Sequence, residues 1–145
     1  MRRNITKLLL VLISIVLFAA SGCSVGQDED IIKFTDSAAE NYLTATNNED
    51  YAKFSMDLDE EMKKALPEDK FLEFTSQIKG IIGDYVPGSK KFVKTKKEGG
   101  FTSVIYNTEY TEEPAGVEVK IVISKVNNEM KISGSWFNSP KLRKQ

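Results

Sequence analysis

The sequence predicts an α+β fold, with helices first and a four-stranded antiparallel sheet after them. Three observations carry this. Apolar residues recur at steps of three and four from residue 28 to residue 82. From Lys90 onward the period changes to two. The alternating runs are joined by short Gly- and Asn-containing connections, which favour hairpins over crossovers.

The first helix is expected over Asp28–Asn47, where Ile31, Phe34, Ala38, Tyr42 and Ala45 share one face with Leu43 beside them. Asn47-Asn48 stops it, and Asn48 is placed to cap a short second helix with Glu49 and Asp50 in its first turn. That element turns Tyr51, Phe54 and Leu58 inward. Asp57 or Asp59 starts a further turn with Met62, Ala65 and Leu66 facing the core. Pro67 suits the start of the next helix, with Glu68 and Asp69 at its positive end. Phe71, Phe74, Ile78, Ile81 and Ile82 carry the period to Gly83, and Pro87-Gly88 marks a turn.

Phe92–Lys97 reads as the first strand and Glu98-Gly99-Gly100 as its hairpin connection. In the second strand Thr102, Val104, Tyr106, Thr108 and Tyr110 alternate with polar neighbours and Ile105. Pro114 and Gly116 are expected to break the chain before a third strand, in which Val117, Val119, Ile121 and Ile123 share a face. Asn127-Asn128 tolerates the left-handed angles of a tight turn. Met130, Ile132, Gly134 and Trp136 then alternate as one face of the fourth strand. Short connections of this kind make a meander with helices covering one side.

The chain has 145 residues, enough for one ordinary domain. Its 20 basic and 21 acidic residues are unevenly placed: Arg2, Arg3 and Lys7 are the only charges ahead of Cys23. Without residues 1–22, 17 basic residues face 21 acidic ones, a net charge of −4 that argues against nucleic acid as a partner. The absence of His removes the commonest general base and imidazole metal ligands. A single Cys rules out an internal disulfide. Nothing in the residues calls for a cofactor or a metal.

The N-terminus reads as an export address. Three basic residues precede Leu8–Ala20, which is apolar except for Ser14 and covers only ~20 Å as a helix, short of the ~30 Å hydrocarbon core. Ala20-Ser21-Gly22-Cys23 resembles the lipobox of bacterial lipoproteins, with Ala20 in place of the more usual Leu. The resemblance implies that Cys23 is diacylglycerylated and becomes the N-terminal residue, anchoring the protein at the extracytoplasmic face of the cell membrane. Acyl chains contribute ~0.8 kcal/mol per buried methylene, which suffices without a spanning helix. The expected organisation is a signal peptide over 1–22, a lipidated Cys and polar tether over 23–30, one domain over 31–138 and a basic, frayed tail over 139–145.

The order of elements, with Glu49-Asp50-Tyr51-Ala52-Lys53-Phe54 and the stretch Asp59–Pro67, resembles an uncharacterised family of small bacterial and archaeal lipoproteins containing a domain of unknown function. That family is similar to the nuclear transport factor 2-like superfamily, whose helices pack into a curved sheet to make a cone. The resemblance covers nearly all of residues 28–138 and implies the fold. Cone relatives include isomerases, dehydratases, carriers and interaction domains, so it does not choose a function.

If the sheet curves, aromatic residues line the space beneath it. Tyr42, Phe54, Phe71, Tyr106, Tyr110 and Trp136 are the candidate pocket residues. Tyr106, Tyr110 and Trp136 stand out, since each carries a hydrogen-bonding group that needs a partner. The competing reading is that these side chains fill the core of a small domain. The acids Asp57, Asp59, Glu60 and Glu61 have calcium-loop spacing, but Met62 occupies the position that needs Gly, and a solvated helix start explains them. Lys90, Lys91, Lys94, Lys96 and Lys97 crowd the first strand, where lysines discourage edge pairing. Catalysis finds no His, no available Cys and no converging acid–tyrosine pair in the spacing, so no catalytic residue is nominated.

The expected function is a membrane-anchored extracytoplasmic lipoprotein with a small binding domain, taking either a small apolar ligand or a protein partner. A partner or homodimer surface on the outer sheet face would show apolar side chains there, with Ile105, Val122 and Phe137 as candidates. A proton-transfer enzyme, the least favoured alternative, would need a buried Asp or Glu within reach of a Tyr.

Overall fold

A computed structural model describes residues 25–144. By internal contacts the chain divides into Met1–Ile31 and Ile32–Gln145, and the packing below is that of the second unit. The predicted signal peptide and Cys23 lie outside the described residues. No described helix is long and apolar enough to cross a membrane.

Helix α1 (Val25–Asn48) begins three residues before the expected start, inside the segment read as a tether. Its buried face carries Ala38, Ala39, Tyr42, Leu43 and Ala45. Two short helices follow, α2 (Tyr51–Ser55) and α3 (Glu60–Ala65). Asp50, rather than Asn48, caps α2 by accepting from Lys53 N at 3.0 Å. Asp59 caps α3 through Met62 N at 2.8 Å. Ala65, expected inside, is exposed. Helix α4 (Glu68–Ile82) buries Phe71, Thr75, Ile78 and Ile82 and ends at Gly83.

Four strands make an antiparallel, curved open sheet in the order β1 (Lys91–Glu98), β2 (Phe101–Tyr110), β3 (Glu113–Val126) and β4 (Glu129–Asn138). The fold is therefore α+β, with helices before the sheet. Val104, Tyr106 and Thr108 of β2 and Val117, Val119, Ile121 and Ile123 of β3 form its buried inner face. Asn127 and Asn128 both have positive φ and close the β3–β4 turn as expected.

Bulges change which residues share a face. Pro114 and Gly116 do not break the chain; they lie within β3, where the β2–β3 register moves from Thr108↔Val117 to Tyr110↔Glu113. Pro114 and Ala115, in the extra length of β3, are exposed, and a proline at such a bulge removes no ladder bond from the strand's centre. Between β3 and β4 the register moves from Ile123↔Ile132 to Val122↔Gly134, with Ser133 as the added residue. That insertion reverses the parity of β4. Ile132 faces inward, whereas Gly134 and Trp136 face outward, and Phe137 turns in against Phe74 at 5.7 Å between ring centroids.

The two sheet edges differ. At β4, Ile132 N donates to Asp57 O at 2.8 Å and Asp59 N donates to Ile132 O at 2.9 Å, so the segment before α3 occupies that edge. No described strand pairs with the outer edge of β1, whose side chains are exposed apart from the half-buried Thr95. The C-terminal tail is not frayed where it is described. Its Lys141 N–H donates to the buried carboxylate of Glu113 at 2.9 Å, and Leu142–Lys144 form a 3-10 turn.

Candidate functional site

Four tyrosines are buried between α1 and the inner sheet face, and two of them, Tyr85 and Tyr110, pack at 5.8 Å between ring centroids. α1 supplies Tyr42, the segment after α4 supplies Tyr85, and β2 supplies Tyr106 and Tyr110, all buried. The segment from Tyr85 to Lys90 is stitched to α1. Asn47 Oδ1 accepts from Tyr85 N at 2.9 Å, and Asn47 Nδ2 donates to Tyr85 O at 2.7 Å. Glu40 receives the Tyr85 hydroxyl on one oxygen and Gly88 N on the other, each at 2.9 Å. Lys90 Nζ lies 2.6 Å from Asp36 Oδ1, 3.8 Å from Glu40 Oε2 and 5.3 Å above the Tyr106 ring. Its side chain is only 9% exposed. Asp36 and Glu40, four residues apart, share one helix face and meet this ammonium together.

The phenol groups are unequally satisfied. Tyr42 and Ser135 share a hydrogen bond of 2.6 Å, and Tyr85 is held by Glu40. The hydroxyls of Tyr106 and Tyr110 are buried and have no hydrogen-bond partner among the described residues. A buried hydroxyl left in this state costs about 1–3 kcal/mol. Burial raises all four phenol pKa values, Tyr85 to about 12, with the neighbouring Glu40 adding to its rise. At neutral pH they are therefore hydrogen-bond donors, not bases. Glu40 does come within reach of a tyrosine, the geometry a proton-transfer enzyme would need. Its two oxygens, however, already accept from Tyr85 and Gly88.

The mouth of this interior lies under β1. Phe92 pairs with Tyr106 across the β1–β2 ladder, which puts both on the inner face. The Phe92 ring meets the Tyr106 ring edge-on at 6.4 Å yet stays 49% exposed. The helices therefore leave the inner side of β1 uncovered. Val93, added at the bulge between Phe92 and Lys94, is exposed as well.

Two depressions among the described residues lie elsewhere and are lined by neither Tyr106 nor Phe92. One of about 280 Å³ lies at the β2–β3 bulge and touches Tyr110, Glu113 and Gly116. The other, about 470 Å³, lies between α3 and the β3–β4 turn and is lined by Asp59, Glu60 and Glu61. Those acids are already engaged: Asp59 caps α3, while Glu60 and Glu61 pair with Lys63 and Lys64 at 3.1 Å. Among the described residues no group of three acids or other ligands is arranged for a metal ion.

A family described as "Protein of unknown function (DUF3887)" matches residues 39–134. The chain belongs to this family. No curated protein matches it. The DUF3887 span runs from Ala39 on α1 to Gly134 on β4 and takes in Glu40, Tyr42, Tyr85, Lys90, Phe92, Tyr106 and Tyr110. Asp36 lies just ahead of it.

The predicted pocket residues of this DUF3887 protein separate into three groups. Tyr42, Phe54 and Phe71 form a core stack, with Phe54 4.4 Å from Tyr42 and 4.3 Å from Phe71 between ring centroids. Tyr106 and Tyr110 face the interior beneath the sheet. Trp136 does not: the Ser133 insertion turns it outward, where it is 49% exposed with Lys120 Nζ 5.5 Å from its ring centroid. On that outer face Ile105 is nearly covered and Val122 is half-buried, while Phe137 is not on it at all. Lys90, Tyr85, Asp36, Glu40 and Phe92 were not among the candidates. The i,i+4 acids on α1 were the available signal for Lys90's partners.

Proposed function

We propose that this DUF3887 protein is an extracytoplasmic lipoprotein, anchored in the membrane through Cys23, whose domain binds a small molecule in the interior under β1. The anchor reading rests on the basic start, the short apolar run and the Ala20–Cys23 lipobox. The element order and curved open sheet are what a cone-type relative would have. The binding reading is carried by one observation: two buried tyrosine hydroxyls lack partners among the described residues, and one of them belongs to Tyr106, which packs against the half-exposed Phe92. A folded domain satisfies nearly all its buried polar groups, so unspent donors at an uncovered apolar mouth suit an incoming acceptor.

Two measurements test this. Labelled palmitate should enter the wild-type protein and be lost in Cys23→Ser; unchanged labelling would refute the anchor. Native mass spectrometry of the full chain released from detergent should find a monomer retaining a small extra mass. A clean dimer without added mass would favour a second reading, a protein partner or second copy on the outer face, for which the exposed Trp136 is the supporting observation.

A further inference from the structure

The chemical class of the bound molecule follows from what surrounds the two unspent hydroxyls, given the binding reading above. Tyr106 and Tyr110 share the inner face of β2 with Thr108 between them, so their positions lie about 13 Å apart along one strand. Tyr106 is at the mouth, with Phe92 against its edge and Lys90 over its face. Tyr110 lies beyond Thr108, whose hydroxyl is already spent on Val117 O, and packs on Tyr85 at 5.8 Å between centroids. Charge decides between kinds of acceptor. Asp36 and Glu40 together face the one ammonium of Lys90, leaving an excess of negative charge on the α1 side. An anionic ligand would enter against that excess, with the Lys90 ammonium already paired. A cationic ligand would find the Tyr106 face taken by Lys90.

We infer that the interior under β1 takes a neutral, mainly apolar molecule carrying an oxygen acceptor, with the ring or chain against Phe92 and the oxygen received by the Tyr106 hydroxyl. An apolar group alone would leave both hydroxyls unpaired, which is the basis on which such a site discriminates.

The test compares three probes of one size: acetophenone, ethylbenzene and benzoate. Binding to the full chain in detergent is followed by NMR of ¹³C-labelled tyrosine rings, with Tyr106→Phe and Tyr110→Phe measured alongside. Acetophenone should bind about fivefold or more tighter than ethylbenzene, the worth of one satisfied hydrogen bond, and tighter than benzoate. Tyr106→Phe should erase that preference while its melting temperature stays level or rises, because an unpaired hydroxyl has been removed. Equal binding of acetophenone and ethylbenzene would overturn the acceptor inference and leave the apolar cleft standing. Tightest binding by benzoate would overturn the neutral class, and a preference surviving in the Tyr106→Phe/Tyr110→Phe double variant would place the acceptor elsewhere. Binding of none of the three at their solubility limits would overturn this inference, while retention of a different co-purifying mass would still leave the broader reading intact.

Discussion

Gly83 joins α4 to the segment that carries Tyr85, and replacing it by Ala should be the most costly of the single-methyl additions compared here. Its backbone has φ 79° and ψ −156°, a region essentially confined to glycine and worth about 1–3 kcal/mol of strain for any other residue. A Cβ there would fall 2.8 Å from Glu112 Cγ and 2.9 Å from Glu112 N, and closer still to Thr111 Oγ1. The Thr111 side chain could turn away only by giving up the hydrogen bond it accepts from Asp84 N at 3.0 Å, about 1 kcal/mol. Glu112 N is fixed because it donates to Ile82 O at 2.9 Å. The combined cost is about 2–4 kcal/mol, before the close approach to Glu112 N is added. Two internal controls carry the same added methyl into open space. Gly88→Ala meets nothing within 4 Å at φ 76° and should cost about 1–2 kcal/mol. Gly80→Ala, inside α4 and equally open, should stabilise by about 0.5–1 kcal/mol. Urea denaturation followed by circular dichroism gives all three values. A Gly83→Ala cost no larger than that of Gly88→Ala would refute the steric argument.

Phe54→Ala removes the ring between Tyr42 and Phe71 and should destabilise by about 3–5 kcal/mol in the same assay. Trp136→Ser, on the exposed outer face, should change stability by no more than about 0.5 kcal/mol, read from the thermal midpoint. The Lys141 N–H, with the Ser139 hydroxyl and Ala115 N–H, holds the Glu113 carboxyl below its ordinary value of 4.5. Because that value is depressed in the folded state, its stabilisation is present above pH 4.5 and is lost as pH falls through the lowered value. Acid titration of the melting temperature should therefore be shallower in Glu113→Gln, and an identical acid limb in both proteins would contradict this.

Much of the fold was legible because periodicity reports burial directly. The alternation of Val117, Val119, Ile121 and Ile123 appears as a wholly buried row, and Asn127-Asn128 turns where two left-handed residues are tolerated. What alternation does not report is an inserted residue. Ser133 looks like any other strand position in the sequence, yet it exchanges the faces of Trp136 and Phe137 and so removes one predicted pocket residue from the interior. Lys90 was hidden for a different reason. It stands beside four exposed strand lysines, and its burial comes only from tertiary contact with α1, 54 residues earlier. Tyr106 and Tyr110 were legible as residues needing partners; that they have none among the described residues is a property of the packing.

The unequal edges of the sheet limit how copies of this domain can join by strand addition. Linear polymerisation requires each subunit to offer two docking ends, and here the β4 end is already engaged at Ile132 by the chain's own segment before α3. Two chains pairing β1 to β1 would consume the open edge of each and bring Lys91, Lys94, Lys96 and Lys97 of both against one another. Such an assembly is self-terminating at two subunits and opposed by its own charge. If copies are anchored as proposed above, they would be confined to a plane and meet often, and that geometry would keep them from growing into fibrils.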